Sequence, residues 1–253
     1  MMRLGIIEYI NLFPVTYALE NRKVDFDSDI TKGPPTKLNS MLSGGMLDAS
    51  FISSIEYARG NYILLPFSIS AKDEVKSVLL LSHVPVNRIK RITLTSESAT
   101  SVVLLKILMN RAFNHRVEYG VGGEAELLIG DKALQSLSGR DHTLDLAKAW
   151  HDLTGLPMVF GVLAARKETR KEDLKDLISA IESSIKWAQE NKREVLKAAC
   201  LRTGLQRKLV EEYYGCLHFG LGPDEVRSLK KFYSYAKSMG GIDQTPPIQA
   251  FRG

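Results

Sequence analysis

Short apolar runs alternate with short helical patterns in the first third of the chain. The mainly apolar runs over 3–7 and 48–52 predict strands, since a short apolar run fits a strand covered on both faces. A helix is predicted over 13–19, with Pro14 in its first turn. A second helix is predicted between Pro34-Pro35 and Gly44-Gly45. This alternation is typical of an α/β sheet with helices on its faces.

The same alternation restarts after an interruption at His83-Val84-Pro85. Strands are predicted on either side of it, over 62–70, 75–82, 91–95, 117–119, 125–129 and 158–165. Helices are predicted over 102–108 and 144–153. The restart predicts two similar sheets rather than one.

From Lys171 onward the pattern is helical only. Leu174, Leu177 and Ile181 begin an apolar stripe that predicts a long amphipathic helix, and a second such helix follows Pro223. The tail over 240–253 carries Pro246-Pro247 without periodicity, which predicts an extended coil.

These patterns predict an α/β protein of two lobes with a helical C-terminal part. We assign residues 1–83 and 167–253 to lobe 1, which is discontinuous, and residues 84–166 to lobe 2. A cleft between two lobes is where small ligands usually bind, so we expect the ligand there.

Composition supports an ordinary globular protein, because 44% of the 253 residues are hydrophobic and 25% are charged. The longest apolar run, 78–81, is far shorter than a membrane span. Glu8 and Asn11 interrupt the apolar residues near the N-terminus, so it lacks the long apolar stretch of a signal peptide. We therefore expect a cytoplasmic protein with no membrane partner. Two cysteines, Cys200 and Cys216, make neither a disulfide framework nor a metal quartet.

The charge balance is weakly basic, with 34 basic and 29 acidic residues and a net charge of +5. The densest basic runs, 88–91 and 166–171, lie at the ends of predicted elements. This dispersion favours a solvated surface over a nucleic-acid partner, and it allows a small anionic ligand.

Motifs for nucleotide, metal or serine-hydrolase chemistry are absent from the sequence. It contains no Gly-x-Gly-x-x-Gly opening a helix, no P-loop and no Gly-x-Ser-x-Gly. The histidines are far apart and none has a ligand spacing; they are His83, His115, His142, His151 and His218. We predict neither a metal nor a cofactor.

Polar groups recur where the predicted strands end. They are found at 9–11, 33–36, 53–54, 77, 98–101 and 130–131. In an open α/β sheet, ligands bind beyond the carboxyl ends of the strands, and a helix N-terminus with a nearby hydroxyl binds carboxylates. Helices predicted to start at Ser54 and Thr100, one in each lobe, could hold two carboxylates. The alternative is that these hydroxyls only cap the helices.

A series of short motifs resembles the chorismate dehydratases of menaquinone biosynthesis by the futalosine pathway. Each motif is weak alone, but their order and spacing match from about residue 3 to residue 235. They are Tyr9-Ile-Asn-Leu-Phe-Pro14, Gly33-Pro-Pro-Thr-Lys-Leu-Asn39, Ser53-Ser-Ile-Glu-Tyr57, Val75-Lys-Ser-Val78, Ser98-Ala-Thr-Ser-Val102, Leu127-Leu-Ile-Gly-Asp-Lys-Ala-Leu134, residues 150–160 and Phe232-Tyr233.

The resemblance implies a two-lobed fold like that of type II periplasmic binding proteins. It also implies the reaction: chorismate loses water and becomes 3-[(1-carboxyvinyl)oxy]benzoate, without cofactor or metal. In the family, the substrate's own enolpyruvyl carboxylate takes the proton, and the protein positions the substrate.

The resemblance also implies the site residues. The family's asparagine and strand serine correspond to Asn11 and Ser77, which we expect to be catalytic. An amide can donate a hydrogen bond to a leaving hydroxyl but cannot act as a base. The expected substrate-binding residues are Tyr9, Pro35, Ser53, Ser54, Thr100, Ser101 and Gly130. Asp131 would repel a dianion, so we assign it a structural role.

Two departures from the family pattern carry expectations. Asp73 and Glu74 precede Ser77 and would oppose an anion unless they point to solvent. Leu163 replaces a usual aromatic residue and could change the pocket wall.

Two alternative functions share the expected fold. One is 1,4-dihydroxy-6-naphthoate synthase of the same pathway, but its histidine base has no counterpart in a glycine- and threonine-rich loop of this sequence. The other is a non-catalytic binding protein for a small carboxylate, because a fold does not fix a function.

Overall fold

A computed structural model describes residues 1–137 and 141–251. Its strands form two mixed sheets. The first sheet contains β1 (Met2–Ile7), β2 (Ser28–Gly33), β3 (Ala49–Ser53), β4 (Tyr62–Ala71), β10 (Met158–Arg166) and β11 (Leu217–Gly220). Their order is β11-β4-β10-β3-β1-β2, with β1 parallel to β2 and β3, and β10 antiparallel to β3 and β4.

The second sheet lies between β4 and β10 in the sequence. Its strands are β5 (Val78–Ser82), β6 (Arg91–Thr93), β7 (Glu118–Tyr119), β8 (Ala125–Ile129) and β9 (His142–Asp145). Their order is β7-β6-β8-β5-β9. The restart of the apolar pattern thus correctly predicted a second sheet, whereas the exact lobe boundaries stay a prediction.

Helices cover both sheets. They are α1 (Phe13–Glu20), α2 (Pro35–Ser43), α3 (Ser54–Arg59), α4 (Ala99–Arg111), α5 (Gly130–Gln135), α6 (Leu146–Thr154), α7 (Lys171–Glu190), α8 (Lys192–Thr203), α9 (Arg207–Cys216) and α10 (Pro223–Ser238). Short 3-10 turns occur at Ile10–Leu12 and Val86–Arg88. Helix α4 contacts α3, α6 and α10, so the apolar core continues from one sheet to the other.

Three strands differ from the sequence prediction, and all three lie at sheet edges. β2 and β9 were not predicted, and β11 shows that the region after Lys171 is not helical only. An edge strand pairs on one side and buries fewer side chains, so its apolar alternation is weak. The polar, half-exposed sequence of β2, Ser-Asp-Ile-Thr-Lys-Gly, illustrates this.

The ends of three strands lie around one region between the sheets. β1 and β3 are parallel, so the turn that carries Asn11 and the start of α3 follow the same edge of the first sheet. β8 of the second sheet ends at Ile129, next to Gly130. Ser77 precedes β5, where the chain has just crossed from the first sheet to the second.

Candidate functional site

A narrow cavity of about 50 Å³ lies between the two sheets. Among the residues expected at the site, seven line it: Tyr9, Asn11, Pro35, Ser53, Ser77, Ser101 and Gly130. Apolar side chains from both sheets complete the wall, including Ile52, Ile69, Val78, Ile129 and Phe160.

Asn11 presents an unpaired acceptor to this region. It lies in the 3-10 turn that follows β1, and its Oδ1 atom is buried without a hydrogen-bond partner. A buried polar atom normally has a partner, so this atom is available for a hydroxyl or other donor of a ligand.

Ser53 is a second unpaired group on the cavity wall. It occupies the N-cap position of α3, yet its hydroxyl caps nothing, and its buried Oγ has no hydrogen-bond partner. The Ser53 backbone N–H instead donates to Asn39 Oδ1 at 3.1 Å. The hydroxyl is therefore free to donate to an anionic oxygen.

Ser77 is buried and already accepts one hydrogen bond. The Tyr213 hydroxyl donates to Ser77 Oγ at 3.0 Å, and the Ser77 carbonyl accepts from the Gly130 N–H at 2.8 Å. Since Tyr213 supplies a proton to Oγ, the proton of Ser77 itself is free for another acceptor.

The backbone before Ser77 is held by the half-buried carboxylate of Asp145. The Val75 and Lys76 N–H groups both donate to Asp145 Oδ2, at 2.9 and 2.7 Å. These two hydrogen bonds hold the backbone of Lys76 at a positive φ of 59°, a conformation that few residues other than glycine adopt. Burial raises the pKa of Asp145 despite these hydrogen bonds.

Tyr9 connects the two sides of the cavity. Its ring packs against Gly130, where a Cβ atom would come within 2.9 Å of the ring. Its hydroxyl donates to Glu97, which also pairs with Lys132 at 2.7 Å. Burial and the Glu97 hydrogen bond raise the pKa of Tyr9, so the phenol remains a hydrogen-bond donor at neutral pH.

Ser101 lies in the first turn of α4. This helix begins at Ala99, one residue before the predicted start, and Ser98 is its N-cap. Ser98 Oγ accepts from the Ser101 N–H at 3.2 Å, and the two hydroxyl oxygens are 2.9 Å apart.

Ser54 and Thr100 do not line the cavity. The fully buried Ser54 hydroxyl donates to the Val159 carbonyl at 2.6 Å. Thr100 Oγ1 accepts from the Ile55 N–H at 3.1 Å and so caps α3 from the other side of the cleft. Contact of either hydroxyl with a ligand stays a prediction. The Ser54 proton is already donated within the protein, whereas Thr100 only accepts and keeps its own proton for another acceptor.

Sequence reasoning did not select the other lining residues, among them Ser98, Phe160 and Tyr213. The first two lie within quoted motifs. Tyr213 is 136 residues from the Ser77 hydroxyl that it contacts, and no local pattern could identify it.

The residues of the two departures from the family pattern lie outside the cavity wall. Asp73 and Glu74 point to solvent, with side chains that are 73% and 53% exposed. Leu163 is buried in the core and does not line the cavity.

The cavity wall is uncharged. Among the lining residues that the structure describes, none is Asp, Glu, Lys, Arg or His. The two titratable lining residues are Tyr9 and Tyr213, and burial raises the pKa of both. An anion would therefore be held by hydroxyls, amides and helix N-termini rather than by a cation.

Residues 1–137 and 141–251 contain no group of three or more His, Cys, Asp or Glu side chains placed to hold a metal ion. No helix in these ranges is both long and apolar enough to cross a membrane.

Sequence comparison connects residues 2–238 with a family described as menaquinone biosynthesis. A chorismate dehydratase of Thermus thermophilus is 30% identical over 257 residues, which cover 90% of this chain and 93% of that protein. A chorismate dehydratase of Campylobacter jejuni is 35% identical over 164 residues, which cover 63% of this chain and 65% of the relative.

Structural comparison shows the fold. AF1704 from Archaeoglobus fulgidus has a TM-score of 0.75 at 20% identity, covering 95% of this chain and 98% of that one. The aliphatic sulphonate-binding protein SsuA of Escherichia coli has a TM-score of 0.66 at 13% identity, covering 100% and 94%. The expected periplasmic-binding-protein-like fold is confirmed.

Proposed function

Because the chain belongs to the menaquinone-biosynthesis family, we propose that it is a chorismate dehydratase. Its reaction would convert chorismate to 3-[(1-carboxyvinyl)oxy]benzoate and water, in the futalosine route to menaquinone. The observation that carries this proposal is the pair of unpaired polar atoms, Asn11 Oδ1 and Ser53 Oγ, in a cavity between two sheets.

The arrangement suits a substrate with two carboxylates and one hydroxyl. Ser53 and the N-terminal turn of α4 at Ser101 offer donors to carboxylates from opposite sides of the cavity. Asn11 offers an acceptor, through Oδ1, and amide donors to the ring hydroxyl. Two orphaned groups on one wall favour a ligand that satisfies both.

The chemical step removes a ring proton and the hydroxyl on the neighbouring carbon. The electron pair of the C–H bond becomes the third double bond of the ring, the C–O bond breaks, and the hydroxyl leaves as water when the base that took the ring proton passes it to the departing oxygen. Aromatisation supplies the driving force. The enzyme therefore needs to orient the ring and support the departing oxygen, and orientation alone can lower a barrier by about 7–11 kcal/mol.

We propose that the substrate's enolpyruvyl carboxylate accepts the ring proton. The described lining residues offer no carboxylate, imidazole or amine for this task, and the raised pKa of Tyr9 and of Tyr213 keeps both phenols protonated. Asn11 and Ser77 would stabilise the leaving hydroxyl. The hydrogen bond from Tyr213 orients the Ser77 proton for this role.

Binding requires the cavity to widen. Its volume of about 50 Å³ is well below the roughly 300–1,000 Å³ of usual ligand pockets. We propose that the two sides of the cleft separate to admit chorismate and then close on it, excluding water from the reacting ring.

The test is incubation of the purified, metal-free protein with chorismate, followed by mass spectrometry. Loss of one water with formation of an aromatic enolpyruvyl ether is the expected result. Thermal stabilisation by chorismate without any product would instead indicate a carboxylate-binding protein. If chorismate is not converted and does not stabilise the protein, the proposal is rejected.

A further inference from the structure

Two consecutive residues at the start of α5 contact the segment that carries Asn11, and the next residue, Lys132, is linked to it through Glu97. Gly130 packs against the Tyr9 ring, Asp131 accepts a hydrogen bond from the Ile10 N–H, and Lys132 pairs with Glu97. Glu97 in turn accepts from the Tyr9 hydroxyl.

The contact of Asp131 is the most direct of the three. Its Oδ1 atom lies 3.1 Å from the nitrogen of Ile10, the first residue of the 3-10 turn and the immediate neighbour of Asn11. The Tyr9 N-cap of this turn makes no side-chain capping bond. Asp131 therefore supplies the acceptor that the first N–H of the turn would otherwise lack.

The carboxylate is poorly suited to bind the substrate itself. Its side chain is 19% exposed, and its Oδ2 lies 3.7 Å from Arg202 Nε. Asp131 does not line the cavity, and its negative charge would oppose a dianion. Its hydrogen bond is directed at the backbone of the turn.

We propose that Asp131 is a positioning residue that fixes the 3-10 turn so that Asn11 meets the substrate's leaving hydroxyl. This inference rests on the proposed function. Because Asp131 follows the second sheet and Asn11 follows the first, the contact forms only when the two sides of the cleft are together. Asn11 would therefore be correctly placed only in the closed enzyme.

The position of Asn11 matters because a displacement of about 1 Å at a reacting group can cost about a hundredfold in rate. The Asp131→Ala variant is expected to lower kcat for chorismate by about ten- to a hundredfold, with a much smaller change in KM. The Asp131→Asn variant keeps an amide oxygen that can accept from Ile10, so its kcat should return close to that of the wild type.

Gln135→Ala is the matched control. Gln135 lies at the end of the same helix, and its Nε2 donates to the Thr203 carbonyl at 2.8 Å, so this variant also removes one hydrogen bond made by α5. The lost bond does not involve the Asn11 turn. We expect kcat of this variant to match the wild type.

Hydrogen exchange without substrate gives a second readout. In Asp131→Ala, the peptide containing Ile10 and Asn11 should exchange faster, while the control variant keeps the wild-type rate. An Asp131→Ala variant with a lower melting temperature but unchanged kcat and unchanged exchange at Ile10 would overturn the proposal. Equal loss of kcat in the Asn and Ala variants would also overturn it.

These measurements separate the inference from the proposed function. If the wild-type protein does not convert chorismate, the proposed function fails, and the exchange rate at Ile10 still decides whether Asp131 holds the turn. If the wild type is active and Asp131→Ala is equally active, only the positioning role is rejected.

Discussion

At the scale of single residues, the site is defined by what its side chains leave unpaired. Asn11 Oδ1 and Ser53 Oγ are buried without partners, whereas the Ser54 and Thr100 oxygens are used within the protein. Leaving a buried polar atom unpaired costs about 1–3 kcal/mol, so a ligand in the cavity that pairs with both atoms would recover that free energy. Among the hydroxyls at the helix starts, that of Ser53 is therefore a candidate to bind a ligand, whereas those of Ser54 and Thr100 already make hydrogen bonds within the protein.

Asn11→Leu should abolish most of the activity while preserving the fold. The substitution removes an unpaired acceptor and the donors for the leaving oxygen, so kcat should fall about 10²–10³-fold. The free energy of unfolding should not fall by more than about 1 kcal/mol, because Oδ1 stabilises nothing in the unliganded protein. Steady-state kinetics and thermal melting check this, and wild-type activity in the variant would contradict the role of Asn11.

Ser77→Ala should affect both turnover and stability. It removes a donor from the cavity and leaves the buried Tyr213 hydroxyl without its acceptor, which costs about 1–3 kcal/mol. Tyr213→Phe is the matched control, since it removes the same bond without leaving an unpaired donor. If Ser77→Ala melts like the wild type and has wild-type kcat, Ser77 is neither catalytic nor part of a stabilising pair.

At the scale of elements, the site depends on hydrogen bonds that hold the connection between the two sheets and the first turn of a helix in place. Asp145 ends β9 and accepts from Val75 and Lys76, and its Oδ1 also accepts from Ala147 and Lys148 in the first turn of α6. One carboxylate thus joins the crossing segment before Ser77 to the start of a helix.

Asp145→Ala should destabilise the protein by at least about 2 kcal/mol, since it removes a helix cap and leaves buried N–H groups unpaired. Asp152→Ala is the control within the same helix. It breaks only an exposed pair with Lys148 and should cost no more than about 0.5 kcal/mol. Chemical denaturation of the two variants gives this comparison, and equal stabilities would contradict the fastening role of Asp145.

At the scale of the whole molecule, a few polar bonds join the two sides of the cleft. The Tyr9 hydroxyl donates to the Glu97 carboxylate. The Thr36 N–H donates to the Glu97 backbone carbonyl at 3.3 Å. Burial disfavours the ionised form of Glu97, but the hydrogen bonds from Lys132 and Tyr9 outweigh it, so its pKa lies below the ordinary 4.5.

This lowered pKa predicts a pH-dependent contribution to stability. A carboxyl with a lower pKa in the folded state stabilises the fold fully above its unfolded pKa and loses that contribution as pH falls through the folded value. Melting temperatures of the wild type and Glu97→Gln should therefore differ at pH 7, by the equivalent of about 1 kcal/mol, and converge below pH 4.5. A constant difference down to strongly acidic pH would contradict the role of the Glu97 charge.

The sequence by itself determined the buried strands and the long helices. Their apolar periodicity directly reflects burial, as in β3, α7 and α10. The edge strands β2, β9 and β11 were missed because their pairing depends on neighbours distant in the chain rather than on their own side chains.

The sequence likewise identified polar groups at strand ends, among them Asn11, Ser53 and Ser77, and the tertiary structure brings these three to one cavity. Only the tertiary structure decided which hydroxyls are already bonded, because Ser54 meets Val159 and Ser77 meets Tyr213 across more than a hundred residues. Hydrogen-bond partners of this kind are set by packing between elements. The local sequence therefore does not predict them, whereas burial produces an apolar periodicity along the strands and helices that form the core.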